Sequence, residues 1–317
     1  MKTIKIIEVK SEIGAGTRGS SMGVDAIKIA AMDFGSDFFN KHEVVEIPAG
    51  NKSLFDLIHN EYAKHIPEIY EVTSKIAAEV KKAVEAPDVF PIILEGDHSN
   101  SIGTIAGIKM AHPDKRLGII WIDAHADIHS PYTTPSGNVH GMAMAAMIDN
   151  DNLENKINEP VEETKEFWEK IKSLGGIRPK VLPSDVVYVT LRDTESQEDY
   201  LIKKLGIQVY TVAEMRAKGI ERAAVEVLNA LDKCDIIHVS FDVDSMDPSI
   251  SRGTGTPAKD GITEREAGNF ISRLLYSKKV TSFEIAEINP TLDNENIMAE
   301  DAFEILQKAV NLVTRVV

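Results

Sequence analysis

Three short blocks rich in aspartate and histidine each stand where an apolar run ends. They are Gly96-Asp97-His98-Ser99 beyond the run closing at Leu94, Asp123-Ala124-His125-Ala126-Asp127 after Ile122, and Ser240-Phe241-Asp242-Val243-Asp244-Ser245-Met246-Asp247-Pro248, where the run closes at Phe241. Carboxylates and imidazoles are too costly to gather in a half-buried pocket unless a metal neutralises them. The fold must therefore bring three distant turns to one place. A parallel α/β sheet does so, because its ligands bind where the loops leave the carboxyl ends of the strands.

The rest of the chain agrees with that architecture. Short apolar runs alternate with longer segments of helical periodicity, the pattern of helices crossing over between parallel strands. Strands are predicted at Ile4–Val9, Glu43–Ile47, Val89–Leu94, Leu117–Ile122, Val186–Thr190, Gln208–Thr211, Ile236–Phe241 and Val280–Ile285. Several are apolar on both faces, as buried parallel strands are. Helices are predicted at Val24–Met32, Leu54–Glu85 with an interruption near Pro67, Ile102–Met110, Gly141–Ile148, Ile220–Leu231, Glu264–Tyr276 and Glu300–Val316. The expectation is an α/β fold: a three-layer αβα sandwich around a mainly parallel sheet of about eight strands.

Length alone allows two domains in 317 residues. The only irregular stretch, residues 149–184, crowds charges around Phe167 and Trp168 and is too short to form its own core. It reads as a surface excursion with one amphipathic helix, leaving a single domain over 1–317. A net charge of −15 argues against a nucleic-acid partner, which needs a basic surface. Cys234 stands alone, so no internal disulfide framework is possible and a reducing compartment is implied. The start, Met1 to Val9, is too short and charged for a signal peptide, and no apolar run approaches the roughly 18 residues of a membrane span. A cytoplasmic protein without membrane association is expected.

Residues two apart on an extended chain project to the same side. Asp123, His125 and Asp127 can therefore aim together, as can Asp242 and Asp244. Taken alone, Asp97 or Asp247 is an ordinary turn residue, and an isolated Asp-x-Asp is usually a turn or a cap. Three such blocks at three strand ends point to metal instead. Oxygen-rich ligation with two imidazoles suits a hard to borderline divalent ion such as Mn²⁺ better than a thiolate-seeking one. Two ions sharing Asp123 and Asp242 would hold a bridging water and bring its ionisation toward neutral pH, so hydrolysis is the expected chemistry.

In their order and separation these motifs resemble the ureohydrolases, the family of arginase, agmatinase, guanidinobutyrase and formimidoylglutamase, over nearly the whole chain. The resemblance implies two Mn²⁺ per chain: His98 and Asp127 on one, His125 and Asp244 on the other, Asp123 and Asp242 bridging both. Ser136-Gly137-Asn138-Val139-His140-Gly141-Met142 looks like the arginase form of the substrate loop. By that likeness Ser136 and Asn138 receive the α-carboxylate, and His140 acts as acid or proton shuttle. Read without the family, a histidine opening a helix is a capping or surface residue.

The stretch Leu191 to Glu198 resembles the loop holding the substrate's amino end, so Asp193, Glu195 and Glu198 join the binding set, with Thr256 beside them. Glu287 matches the carboxylate that clamps the guanidinium; alone it reads equally as a buried ion-pair partner. Asp127, His140 and Glu287 are the implied catalytic residues.

Three positions depart from the arginase pattern. His129 stands where arginases usually carry Asn, Glu195 where they carry Asp, and Glu95 replaces the first Gly of Gly-Gly-Asp-His. The metal ligands are untouched, but the substrate contacts are not. The implied reaction is L-arginine to L-ornithine and urea by attack of a metal-bridging hydroxide, in a homo-oligomer of three or six chains. Agmatinase, guanidinobutyrase or formimidoylglutamase activity is the alternative, followed by a non-catalytic metal-binding relative. A histone-deacetylase-like amide hydrolase shares the general fold but uses a single Zn²⁺.

Overall fold

The structure, a computed structural model, describes residues 2–315. All eight predicted strands form: β1 Thr3–Val9, β2 Glu43–Ile47, β3 Val89–Glu95, β4 Leu117–Ile122, β5 Val186–Val189, β6 Gln208–Tyr210, β7 Ile236–Asp242 and β8 Val280–Ala286. They make one sheet in the order β2-β1-β3-β8-β7-β4-β5-β6, and every neighbouring pair is parallel. The helices are α1 Gly23–Asp33, α2 Phe38–Lys41, α3 Ile66–Glu85, α4 Ser101–Ala111, α5 Ala143–Ile148, α6 Glu162–Lys172, α7 Ser196–Leu205, α8 Val212–Lys218, α9 Ile220–Ala230, α10 Glu264–Leu275 and α11 Ile297–Val313.

Alternation along the strands builds two cores. Ile4, Ile6, Ile92, Leu94, Ile120 and Ile122 face a layer made from α1, α8, α9, α10 and α11. Ile7, Val9, Ile93, Ile119 and Trp121 face the layer of α3, α4, α5, α6 and α7. The result is the expected three-layer sandwich, with the sheet buried on both faces as parallel sheets require.

Sequence and structure differ mainly in the helices. The helix expected over Leu54–Glu85 begins at Ile66 instead, and Pro67 lies in its first turn, where its missing N–H costs nothing. His65 caps it in a left-handed backbone conformation, φ 56°. Leu54 to His65 carry only the end of a short 3-10 turn and irregular backbone, with Phe55, Leu57 and Ile58 exposed; these apolar residues mimicked a helical stripe without having a core to face. Helices α2, α7 and α8 were not expected. For α8 a signal existed: Thr211 and Glu214 form a reciprocal capping box, so Thr211 opens a helix and does not end a strand. The last predicted helix ends at Val313, and its expected final residue, Val316, lies outside the described residues.

Within 149–184, α6 is the expected amphipathic helix. Trp168 and Lys172 on its inner side both donate to Asp151 Oδ1, each at 2.7 Å, and Phe167 meets Tyr70 of α3 edge-on at 6.0 Å. Among the described residues, no helix is long and apolar enough to cross a membrane.

Candidate active site

The four central strands, β3, β8, β7 and β4, lie side by side, and their carboxyl ends deliver His98, Glu287, Asp242 with Asp244, and Asp123 to Asp127 to one edge of the sheet. His98 Nδ1 faces three carboxylate oxygens: Asp123 Oδ2 at 3.0 Å, Asp127 Oδ2 at 3.1 Å and Asp242 Oδ2 at 3.2 Å. His125 Nδ1 faces Asp244 Oδ2 at 2.9 Å and Asp123 Oδ1 at 3.5 Å. Asp123 thus turns one oxygen to each imidazole. All six predicted ligands are brought together: five form two clusters that could each hold a metal ion, and Asp242 joins them through its contact with His98.

The donor atoms fit such an ion. His98 Nδ1 and Asp123 Oδ2 are buried without a hydrogen-bond partner, a costly state for a nitrogen and an oxygen that aim at a common point. Burial alone would lower the His98 imidazole, but its three carboxylates raise it well above its ordinary range. The same balance raises His125, with Asp244 the leading partner. Burial and the Asp123 charge push Asp127 up to about 6. Raised imidazoles and a raised Asp127 carboxyl mean that the metal-free cluster binds protons more readily than free side chains do. A divalent ion must displace those protons, so its binding is expected to release protons and its affinity to fall as pH drops from about 8 to 6. Calorimetric titration of the metal-free protein in two buffers of different ionisation enthalpy measures that release; equal heats in both would contradict it.

Neighbouring groups fix the donors. The His98 ring stacks on Trp121, with centroids 4.0 Å apart and planes 9° from parallel, and its Nε2 pairs with Ser240 Oγ at 2.7 Å. Neither contact was anticipated, although Ser240 stands inside one of the three motif blocks. Asp97 and Asp247 are turn residues: Asp97 accepts from the Gly14 and Ser99 amides, Asp247 from those of Ser249 and Gly261. Asp127, Thr190 and Glu287 each hold a left-handed backbone, φ 50°, 69° and 68°, just beyond a strand. Such conformations cost about 1–3 kcal/mol each and cluster at functional sites.

A cavity of about 430 Å³ opens over the clusters. It is lined by His125, Asp127, Asp242 and Asp244 on its floor, and by His129, Ser136, Asn138, His140, Asp193, Glu195, Glu198 and Thr256 around it. The predicted contacts for the substrate's amino-acid end are therefore in its wall, whereas Glu287, expected to clamp the guanidinium, lies behind the lining with His98 and Asp123.

Thr256 Oγ1 donates to Asp244 Oδ2 at 3.2 Å. Glu287 Oε1 accepts from the His98 backbone N–H and pairs with His140 Nδ1, both at 3.0 Å. Burial would lower His140, but Glu287 beside it raises it to about 9. His140 in turn holds Glu287 below its usual range against the effect of burial.

The Ser136–His140 loop is pinned from outside. Gly137 sits at φ 75° with its α-carbon against Glu61, where a β-carbon would lie 1.9 Å from the carbonyl oxygen. Lys64 donates to Asn138 Oδ1 at 3.1 Å. Arg192, within the Leu191 to Glu198 stretch, ties backbone together: it donates to the carbonyls of Thr190, Asp244, Ala258 and Lys259.

A parallel sheet between two helical layers, with paired carboxylate–imidazole clusters beneath a polar cavity at its carboxyl edge, defines a metal-binding hydrolase of the α/β class. The chain belongs to the arginase family, whose model matches residues 2–311. It is 33% identical to the arginase of Bacillus subtilis over 311 residues, covering 96% of this chain and 97% of that protein. Arginase-1 of Homo sapiens is 37% identical over 248 residues, 76% of this chain and 69% of that one. The solved Bacillus caldovelox arginase superposes with a TM-score of 0.83 at 32% identity, covering 99% and 98% of the two chains. The Bacillus subtilis formimidoylglutamase structure, at 20% identity and a TM-score of 0.74, shares the fold.

Proposed function

We propose that the protein hydrolyses L-arginine to L-ornithine and urea, using two Mn²⁺ ions per chain. The observation that carries this reading is the convergence of six donors from three strand ends, with unpartnered His98 Nδ1 and Asp123 Oδ2, beneath a cavity walled by the Ser136–His140 loop. His98 and Asp127 would hold one ion, His125 and Asp244 the other, and Asp123 and Asp242 both. The oxygen-rich donor set favours Mn²⁺. When bound, the ions supply Lewis acidity that brings ionisation of a water toward neutral pH.

The chain's own groups do the remaining work. Glu287 orients the guanidinium through paired, charge-assisted hydrogen bonds, which fixes its carbon in line for attack. Asp127, on the cavity floor, steadies the attacking water and accepts its proton. The tetrahedral intermediate then loses its carbon–nitrogen bond to the side-chain amine, which leaves protonated, and His140 brings in a proton from solvent. Ser136 and Asn138 receive the α-carboxylate together with His129; Asp193, Glu195, Glu198 and Thr256 shape the amine end. The reading includes one domain over the chain, a cytoplasmic location and a homo-oligomer of three or six copies.

The test is release of urea by Mn²⁺-loaded protein given arginine, agmatine and guanidinobutyrate side by side, with formamide release from formiminoglutamate in parallel. Arginine is expected to be turned over fastest. A preference for another of the four would make His129 and Glu195 the residues that redirect specificity. No turnover of any would overturn the hydrolase reading.

A further inference from the structure

A third group of donors faces the same cavity and shares no residue with the two clusters beneath it. His129 Nε2 lies 3.1 Å from Glu195 Oε2 and 3.7 Å from Glu198 Oε2. These separations bracket the edge of about 3.3 Å between ligands of a tetrahedral zinc ion with bonds near 2.0–2.1 Å. They also match the 2.9 and 3.5 Å separations within the His125 cluster.

The surrounding hydrogen bonds prepare the atoms for a cation. Thr133 Oγ1 accepts from the Ser130 amide at 3.0 Å and lies 3.1 Å from His129 Nδ1 on the far side of the ring from the carboxylates. With the ring proton on Nδ1, Thr133 accepts it and the Nε2 lone pair faces the carboxylates, the part a partner beyond the ligands plays in metal sites. Glu198 is buried and held by the Ile128 and Glu195 amides at 3.3 and 3.1 Å. Among the described residues, the only basic group within ion-pair distance of either carboxylate is His129. Two carboxylates and one imidazole nitrogen thus converge with no Lys or Arg to balance them, and exposed Glu195 leaves a path from solvent.

We propose that His129, Glu195 and Glu198 form a third metal site, for a borderline divalent cation such as Zn²⁺, with water as the fourth ligand. The sequence supports a feature particular to this chain, since His129 supplies a nitrogen donor where arginases carry Asn, and Glu195 reaches one methylene further than their Asp. The site needs nothing from the substrate assignment; if arginine is the substrate, the cation competes with both the carboxylate contact at His129 and the amine end at Glu195 and Glu198.

The experiment is a metal count. Mn²⁺-loaded protein, His129→Asn and Glu195→Gln are dialysed against micromolar Zn²⁺, and total metal per chain is measured by elemental analysis. Three ions are expected for the native chain and two for each variant. Zinc that merely displaces manganese leaves every total at two, and that result, or three ions in His129→Asn, overturns the proposal. Glu195→Gln keeps the imidazole and the side-chain length, so it tests the site even where His129→Asn fails to fold. Urea release by the native protein in Mn²⁺ alone, measured alongside, separates failure of this site from failure of the arginase reading.

Discussion

Replacing Asp127 by Asn is expected to lower kcat by about 10²- to 10⁴-fold, the usual range for a positioned acid or base. Asp127 Oδ2 is within 3.1 Å of His98 Nδ1 and lines the cavity floor, so it touches both the donor cluster and the space where substrate must sit. Asparagine keeps the shape and a carbonyl oxygen but cannot take up a proton. Steady-state kinetics with arginine, paired with a thermal unfolding scan to show that the fold persists, makes the measurement. Turnover equal to that of the native chain would remove Asp127 from the mechanism and, with it, the mechanism itself.

The second large effect is expected from Glu287→Gln. Removing one partner of a buried, hydrogen-bonded charge pair costs about 2–5 kcal/mol, equivalent to roughly 30- to 4,000-fold. Loss of the guanidinium contact should appear in kcat/KM. A second readout comes from His140. Glu287 raises that imidazole to about 9, so without the carboxylate His140 gives up its proton at a lower pH. If His140 must carry a proton to serve the leaving amine, the alkaline limb of the pH–rate profile moves toward neutral in the variant. A fall in kcat/KM with the limb unmoved would leave the clamp intact as an idea and dismiss His140 as the acid.

Much of this was legible in the chain because the signals are local. Leu117–Ile122 is apolar on both faces and Ile236–Phe241 on one, and each is followed by an aspartate, so both strand and site could be read together. Asp123, His125 and Asp127 do converge, but not by the alternation of an extended chain: the backbone bends from Asp123 to His125 and Asp127 is left-handed. What escaped depends on partners far along the chain. The stacking of His98 on Trp121 and the pairing of His140 with Glu287, 147 residues apart, arise only from how the strands are ordered. Helix α7 hid because Glu195 and Glu198 read as pocket carboxylates, although Glu198 also holds the amide of Glu195 at the helix start. The false helical start at Leu54 shows the reverse failure: apolar spacing without anything to pack against.

The strand order has a consequence for when the site can exist. β8 and β7 lie between β3 and β4, so the strands carrying His98 and Asp123 are separated by two strands from the last third of the chain. These two residues, close in sequence, meet only after segments more than 110 residues downstream have taken their places. A ribosome-bound chain lacking β8 therefore has no assembled cluster to offer an ion. Capture of an ion by the full cluster waits for β7 and β8 to be made and seated.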